Sequence, residues 1–232
     1  MSSKSFSFNN HDDLRGTHAM FSPSQSAWLR YDEEKIVDRV RSQFRAPIGS
    51  EIHEYAAMQI NLSHKKTNVR LIEQEVENYI YTKYTCLSNT DKITEYGQIL
   101  LDHLGYIPKE VFDTLKYYIN DGIGYKMITE QPLVYSERIY GTADSIIFRD
   151  NLLRIHDLKT GSHEAKMEQL ETYAALFCLE YDIKPSDIEY ELRLYQIDEL
   201  VVHNPTVEDI LPIVDAIVTT DKIAYSVEKE SK

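Results

Sequence analysis

The feature that most constrains this chain is a change in its hydrophobic period near residue 125. Up to that point, apolar residues recur every three or four positions, as they do on one face of an α-helix. Beyond it, short apolar and β-branched runs separated by turn residues predict strands, with two further helical stretches among them. We therefore predict an α+β protein with a mainly helical first half, followed by strand, hairpin, helix, strands and helix.

A length of 232 residues suits one domain, so 1–232 is predicted to be a single domain. Its predicted parts are a polar, irregular arm over 1–24, a mainly helical part over 25–125 and a strand-rich core over 126–232. Predicted helices in the second part cover 31–44, 50–64, 68–86, 91–104 and 108–120, with breaks at Pro47-Ile-Gly49 and Gly122-Ile-Gly124.

In the strand-rich core, Arg149-Asp150-Asn151 separates two short β-like runs, which predicts a hairpin. The other predicted strands cover 126–140, 188–197 and 200–203, and a closing helix covers 206–225. A helix is also predicted over 164–182, with one apolar stripe made of Met167, Leu170, Tyr173, Ala174, Phe177 and Tyr181.

Cysteine content and hydropathy exclude two classes of protein. Only Cys86 and Cys178 occur, so we expect no disulfide framework. No apolar run approaches the roughly 18 residues that cross a membrane, and the first residues lack the apolar stretch of a signal peptide. We expect a cytoplasmic protein without a membrane partner.

Two acidic residues and a lysine carry the strongest chemical signal, in Gly141-Thr-Ala-Asp144 and Asp157-Leu-Lys159-Thr-Gly161. Residues two apart in a strand face the same side, so Asp157 and Lys159 should project together. If the hairpin pairs as predicted, Asp144 lies beside Asp157. Two carboxylates can hold Mg²⁺ or Mn²⁺, and an ammonium can stabilise the negative transition state of phosphodiester hydrolysis. The alternative is an ordinary solvated Asp–Lys pair on a strand.

These motifs, together with Gln169-Leu-Glu-Thr-Tyr173 on the following helix, resemble the RecB-type nucleases of the PD-(D/E)xK superfamily. The resemblance implies a restriction-endonuclease-like core, with a central mixed sheet flanked by helices. It also implies catalytic roles for Asp144, Asp157 and Lys159. Gln169 and Tyr173 would brace the site or face the DNA. The alternatives are simple core packing for Tyr173 and a surface position for Gln169.

An earlier Gly-x-x-x-His motif of the same family is matched by Gly49-Ser-Glu-Ile-His53. The resemblance then implies a metal site formed by the side chains of His53, Asp144 and Asp157 and by the Leu158 carbonyl. Some relatives hold an iron–sulfur cluster through four cysteines. With two cysteines, this chain should have none.

The resemblance implies a Mg- or Mn-dependent deoxyribonuclease, an exonuclease in recombination or end-processing, in a bacterium or a phage-infected host. DNA is the expected partner, with a recombination protein or a helicase beside it. The net charge of -13 opposes this, because nucleic-acid-binding proteins usually carry a basic surface. Two alternatives therefore stay open: a non-catalytic nuclease-fold protein that binds, or inhibits by mimicking DNA, and a subunit active only in a larger complex.

Overall fold

The computed structural model describes residues 19–88, 90, 92–161, 166–197 and 199–230. The helices in these ranges are α1 (Glu33–Asn61), α2 (Val69–Cys86), α3 (Glu95–Asp102), α4 (Glu110–Tyr125), α5 (Glu168–Glu180) and α6 (Val207–Glu230). The strands are β1 (Ile128–Val134), β2 (Tyr140–Arg149), β3 (Leu152–Lys159), β4 (Glu189–Gln196) and β5 (Glu199–His203).

The chain divides into two compact units, Met1–Gln43 and Phe44–Lys232. In the first unit, Pro23–Arg30 forms a 3-10 helix, and most of the predicted arm lies outside the described residues. The second unit contains the whole sheet and every residue of the predicted site.

The five strands form one mixed sheet in the order β1-β2-β3-β4-β5. Neighbouring strands are antiparallel except β3 and β4, which are parallel. A parallel pair needs a long crossover, and α5 provides it here. The protein is therefore α+β, with a mixed sheet flanked by helices.

Each face of the sheet is covered by its own apolar cluster. On one face, Leu158 and Tyr195 pack with the buried residues of α1, α2 and α4. On the other, Ile155 and Leu192 pack with the buried residues of α5 and α6. Residues an odd number of positions apart on β3 and β4 thus belong to opposite layers, as the strand period requires.

The predicted hairpin is present. Asp150 and Asn151 form its tip with φ of 52° and 59°, the pair of left-handed residues that a tight two-residue turn needs. Among residues other than glycine, those with short polar side chains such as Asp and Asn tolerate this conformation best. The turn thereby sets the register that places Ser145 opposite His156.

The predicted break at Pro47-Ile-Gly49 is wrong, since α1 continues through Pro47 as one helix. A proline inside a helix costs about 3 kcal/mol because it lacks a hydrogen-bond donor. Ile48 and Ile52 are fully buried in the first cluster, so the packing of this segment outweighs that cost.

Two smaller predictions are also wrong. Gly122-Ile-Gly124 does not end its helix: Gly122 is buried against Ile60 and α4 runs on to Tyr125. Tyr181 is half exposed, because α5 ends at Glu180 and the apolar stripe ends with it. Residues 164 and 165 of that predicted helix lie outside the described residues.

Among the helices that the structure describes, none is both long and apolar enough to span a membrane.

Candidate functional site

The predicted site lies where β2 and β3 separate. Their pairing ends at Ser145 and His156, whereas β3 stays paired with β4 as far as Lys159. Beyond the last pair, the backbone N–H of Leu158 donates instead to Asp144 Oδ2, at 3.0 Å. In extended backbone, the N–H and carbonyl of one residue point to the same edge, so the Leu158 carbonyl also faces this gap.

The side chains of β2 alternate between the two faces of the sheet, but this pattern shifts by one residue at the site. Ala143 and Ile146 both pack in the cluster of α5 and α6, although they are three residues apart. Between them, Asp144 contacts His53 of α1, and Ser145 is buried next to Tyr118 of α4. Asp144 thus faces the α1 layer, and the open gap lets it approach Asp157.

Asp157 is the most buried carboxylate of the site, with a side chain only 3% exposed. Lys159 Nζ donates to its Oδ1 at 3.1 Å and lies 2.9 Å from Oδ2 without hydrogen-bond geometry. Burial, reinforced by the charge of Asp144, raises the pKa of the Asp157 carboxyl; the attraction of Lys159 opposes this without cancelling it.

His53 reaches the site from α1. Its Nδ1 lies 3.2 Å from Asp144 Oδ2. Burial by itself would lower the pKa of His53, but its hydrogen bond to Asp144 and the charges of Asp144, Asp157 and Glu130 raise it overall. The imidazole is thus held in a strongly negative field.

Lys159, Gln169 and Tyr173 form one chain of polar contacts. Lys159 Nζ donates to Gln169 Oε1 at 2.8 Å, and Gln169 Nε2 donates to Tyr173 Oη at 3.4 Å. Gln169 and Tyr173 lie four residues apart on α5, so they share a face. This contact chain orients the ammonium of Lys159 toward Asp157.

Glycines allow the motif-bearing segments to pack closely. A Cβ at Gly49 would lie 2.5 Å from Thr160 Oγ1, and one at Gly141 would lie 2.8 Å from Tyr173 Cε1. Gly49 precedes His53 on α1 by one turn, and Thr160 follows Lys159. The glycine of each motif thus makes room for a side chain of another.

This packing predicts the effect of Gly49→Ala. The added methyl group overlaps Thr160 Oγ1, and overpacking of this kind costs about 1–3 kcal/mol. Thr160→Ala removes the overlapping atom, so the double variant should recover wild-type stability or exceed it, since alanine favours a helix over glycine. Denaturant unfolding of the four proteins measures the coupling. Additive effects of the two substitutions would contradict this contact.

A cavity of about 540 Å³ opens beside these residues. Its lining includes His53, Asp144, Thr160 and two glutamates, Glu54 and Glu130. Glu54 is exposed and pairs with Lys83 of α2. Glu130 was not predicted as a residue of the site. It lies in a strand that Pro132 interrupts, and no sequence pattern there distinguishes it from an ordinary exposed glutamate. Partial burial and the charge of Asp144 raise the pKa of Glu130.

A buried histidine lies behind the site. His156 is fully buried beside Tyr125 and Tyr195, and burial, together with the charges of Arg193 and Arg154, lowers its pKa to about 3. It is therefore neutral in the folded protein at pH 7.

This pKa predicts a loss of stability in acid. The unfolded chain protonates His156 near pH 6.5 and the folded chain does not, so stability falls as the pH drops below that value. Between pH 7 and pH 5 the loss should be about 2 kcal/mol. In His156→Gln, which cannot titrate, denaturant unfolding should show this part of the pH dependence removed. An unchanged pH dependence would mean that His156 is already charged in the folded state.

The donor set fits a divalent cation. Within the described ranges, no group of three or more His, Cys, Asp and Glu side chains has the spacing of a formed metal site, and Lys159 neutralises Asp157 in this arrangement. Asp157 Oδ2 is buried, and the ammonium of Lys159 lies 2.9 Å from it without hydrogen-bond geometry. A buried carboxylate needs a positive charge beside it, which a cation can also supply. Carboxylate oxygens, an imidazole and a backbone carbonyl at one gap are suitable ligands for Mg²⁺ or Mn²⁺.

Residues 18–196 match a family model described as "Protein of unknown function (DUF2800)". The chain belongs to the DUF2800 family. The matched region contains every predicted site residue and ends at Gln196, the last residue of β4. No curated protein and no solved structure matches the chain. The part that defines DUF2800 thus includes the whole candidate site and four of the five strands in the sheet.

Proposed function

We propose that this DUF2800 protein is a metal-dependent DNA nuclease with a PD-(D/E)xK core of the RecB type. One observation carries the proposal: four short motifs, spread from Gly49 to Tyr173, meet through side-chain contacts at one gap in the sheet. A solvated Asp–Lys pair, the alternative reading, would not need a buried Asp157 or glycines against Thr160 and Tyr173.

Each side chain takes a distinct role in this proposal. His53, Asp144, Asp157 and the Leu158 carbonyl would hold Mg²⁺ or Mn²⁺. Bound there, the cation would neutralise phosphate charge and acidify the attacking water. Lys159, with a side chain 30% exposed, can donate to a phosphate oxygen as negative charge develops on it.

The remaining groups act by positioning. Gln169 orients Lys159, and Tyr173 orients Gln169. Asp144 ties the end of β3 to β2 by accepting the N–H of Leu158, which steadies the gap. Cys86 is exposed and Cys178 buried, and the proposal includes no iron–sulfur cluster.

The direct test is incubation of the purified protein with labelled linear DNA, with Mg²⁺, with Mn²⁺ and with EDTA. We expect cleavage only when one of the two cations is present. Cleavage in EDTA would contradict metal dependence. Absence of cleavage with both cations would contradict a nuclease that acts alone.

We further propose that cleavage starts from DNA ends. A surface with a net charge of -13 grips a long duplex weakly, and a free end is easier to place in a narrow site than the middle of a duplex. Linear DNA should be degraded progressively, while covalently closed circular duplex survives under the same conditions. Asp157→Asn serves as the blank. Discrete fragments from the closed circle would identify an endonuclease instead and leave the metal site intact.

The net charge also favours a second candidate, a non-catalytic nuclease-fold protein that binds a partner or mimics DNA. A subunit that works beside a recombination protein or a helicase is related to it. Exposed Leu200, Val201 and Val202 on β5, an edge strand, are consistent with a protein partner. Both candidates predict no cleavage by the isolated chain, and the subunit regains cleavage when its partner is added.

A further inference from the structure

The two edges of the sheet differ in how they are protected. An edge strand exposes unpaired N–H and carbonyl groups, and proteins commonly block such an edge with proline, charge or a backbone irregularity. The edge formed by β1 contains Pro132 and the exposed Glu130, whose φ of 51° is left-handed. Glu180 of α5 also accepts the outward N–H of Val134 at 2.7 Å. Addition of another strand is therefore hindered at β1.

The edge formed by β5 lacks this protection. Its five residues include no proline and none with positive φ, and its ionisable side chains, Glu199 and His203, stand at its two ends. Between them Leu200, Val201 and Val202 are 45%, 37% and 49% exposed. In the described part of the chain no strand pairs with the outer side of β5. An apolar edge of this kind is a template for a further strand.

Apolar surface continues from β5 onto α4. Leu200 pairs with Tyr195 of the first cluster, so it faces the α4 side of the sheet. A cavity of about 430 Å³ beside Leu200 is also lined by Tyr117 of α4, which is exposed. A stable interface buries about 1,200 Å² or more, which a strand of five residues does not provide alone. Tyr117 extends the apolar surface beyond the strand.

The order of residues in β5 suits a second copy of the same strand. In an antiparallel pair centred on Val201, Leu200 lies opposite Val202 of the second copy, and Glu199 lies opposite His203 of the second copy. Apolar residues then meet in the middle, and a carboxylate meets an imidazole at each end. A parallel pair would instead place each Glu199 against the other, and like charges directly opposite repel. Antiparallel pairing of identical strands also gives a closed twofold dimer.

We propose that the protein forms a symmetric dimer in which two β5 strands pair and join the two sheets into one. His203 lies 3.1 Å from Glu171 of α5 in its own copy, which holds the imidazole on the face that Glu199 of the second copy would share. The dimer leaves the candidate site open, because β4 lies between β5 and β3. The net charge of -13 on each copy opposes association, but physiological salt largely screens charges more than about 8 Å apart.

The first test is sedimentation of the full-length protein over a wide range of concentrations in physiological salt. Wild type should form a dimer. Val201→Lys should raise the dissociation constant about a hundredfold or more, because two ammonium groups would face each other across the twofold axis. Val134→Lys makes the same change at an exposed position of β1 and should sediment as wild type does. A wild type that stays monomeric, or a Val201→Lys dimer as tight as that of wild type, would overturn the inference.

Cysteine crosslinking tests the register, and it still applies if Val201→Lys fails to fold. Cys86 is exposed, so the background is Cys86→Ser. Val201→Cys places two thiols directly opposite, with Cβ atoms about 5 Å apart, whereas Leu200→Cys leaves them on a diagonal of about 7–8 Å. A disulfide needs the shorter separation, so oxidation should link Val201→Cys about tenfold faster or more. Equal rates, or faster linking of Leu200→Cys, would overturn the proposed pairing.

Discussion

Asp157→Asn should abolish cation-dependent DNA cleavage while the protein stays folded. The amide keeps the shape of the side chain but loses the negative charge that would hold the cation. Without the cation, several kcal/mol of transition-state stabilisation are lost, so the cleavage rate should fall on the order of a thousandfold. The measurement is initial cleavage of labelled linear DNA in Mg²⁺, with circular dichroism to verify the fold. A variant that cuts as fast as wild type would remove Asp157 from the site.

The same variant also measures how much the ionised Asp157 carboxylate destabilises the folded, cation-free protein. Because burial and Asp144 raise the pKa of Asp157, its ionised form destabilises the cation-free protein. That penalty is fully present above the raised pKa and disappears as the pH falls through it toward the unfolded value of about 4. In EDTA at pH 8, Asp157→Asn should therefore melt no lower than wild type, and any advantage should shrink in acid. A large loss of stability at pH 8 would mean that Asp157 is a structural residue.

Lys159→Ala should reduce the rate at saturating cation by on the order of a hundredfold or more, because the ammonium acts on the transition state. Cation affinity should be retained, since the lysine is not a ligand and its removal leaves the Asp157 carboxylate less neutralised. Calorimetry with Mn²⁺ and single-turnover cleavage separate the two effects. Lys184→Ala, which removes an equal charge from an exposed loop, is the matched control.

Gln169→Ala should reproduce part of this loss, because Gln169 Oε1 accepts from Lys159 Nζ at 2.8 Å and holds the ammonium in place. If Lys159→Ala lost cation binding but kept normal turnover at saturating cation, the proposed role of Lys159 would be wrong.

Local chemistry in the sequence predicted much of the fold. Arg149-Asp150-Asn151 between two β-like runs predicted the hairpin. The structure places its turn at Asp150 and Asn151, whose short polar side chains tolerate left-handed backbone. The two-residue period placed Asp157 and Lys159 on one side of β3 and Leu158 on the other, as the structure has them. The helix–strand order and the α+β class followed from the change in period. Helix-breaking residues predicted the ends of helices less reliably. Pro47 and Gly122 lie within helices, because packing of the buried residues around them outweighs their low helix propensity.

What the sequence determined by itself was therefore the class of fold, the hairpin, and the set of residues in the four motifs. Only the tertiary structure decided how those residues meet. The shift in β2 that turns Asp144 toward α1, the separation of β2 from β3 and the approach of Glu130 have no local signal. Each arises from packing between segments far apart in the chain, as when Gly49 accommodates Thr160. The hydrophobic period of a sequence indicates which way a side chain faces, whereas the distance between two side chains depends on how the helices pack on the sheet.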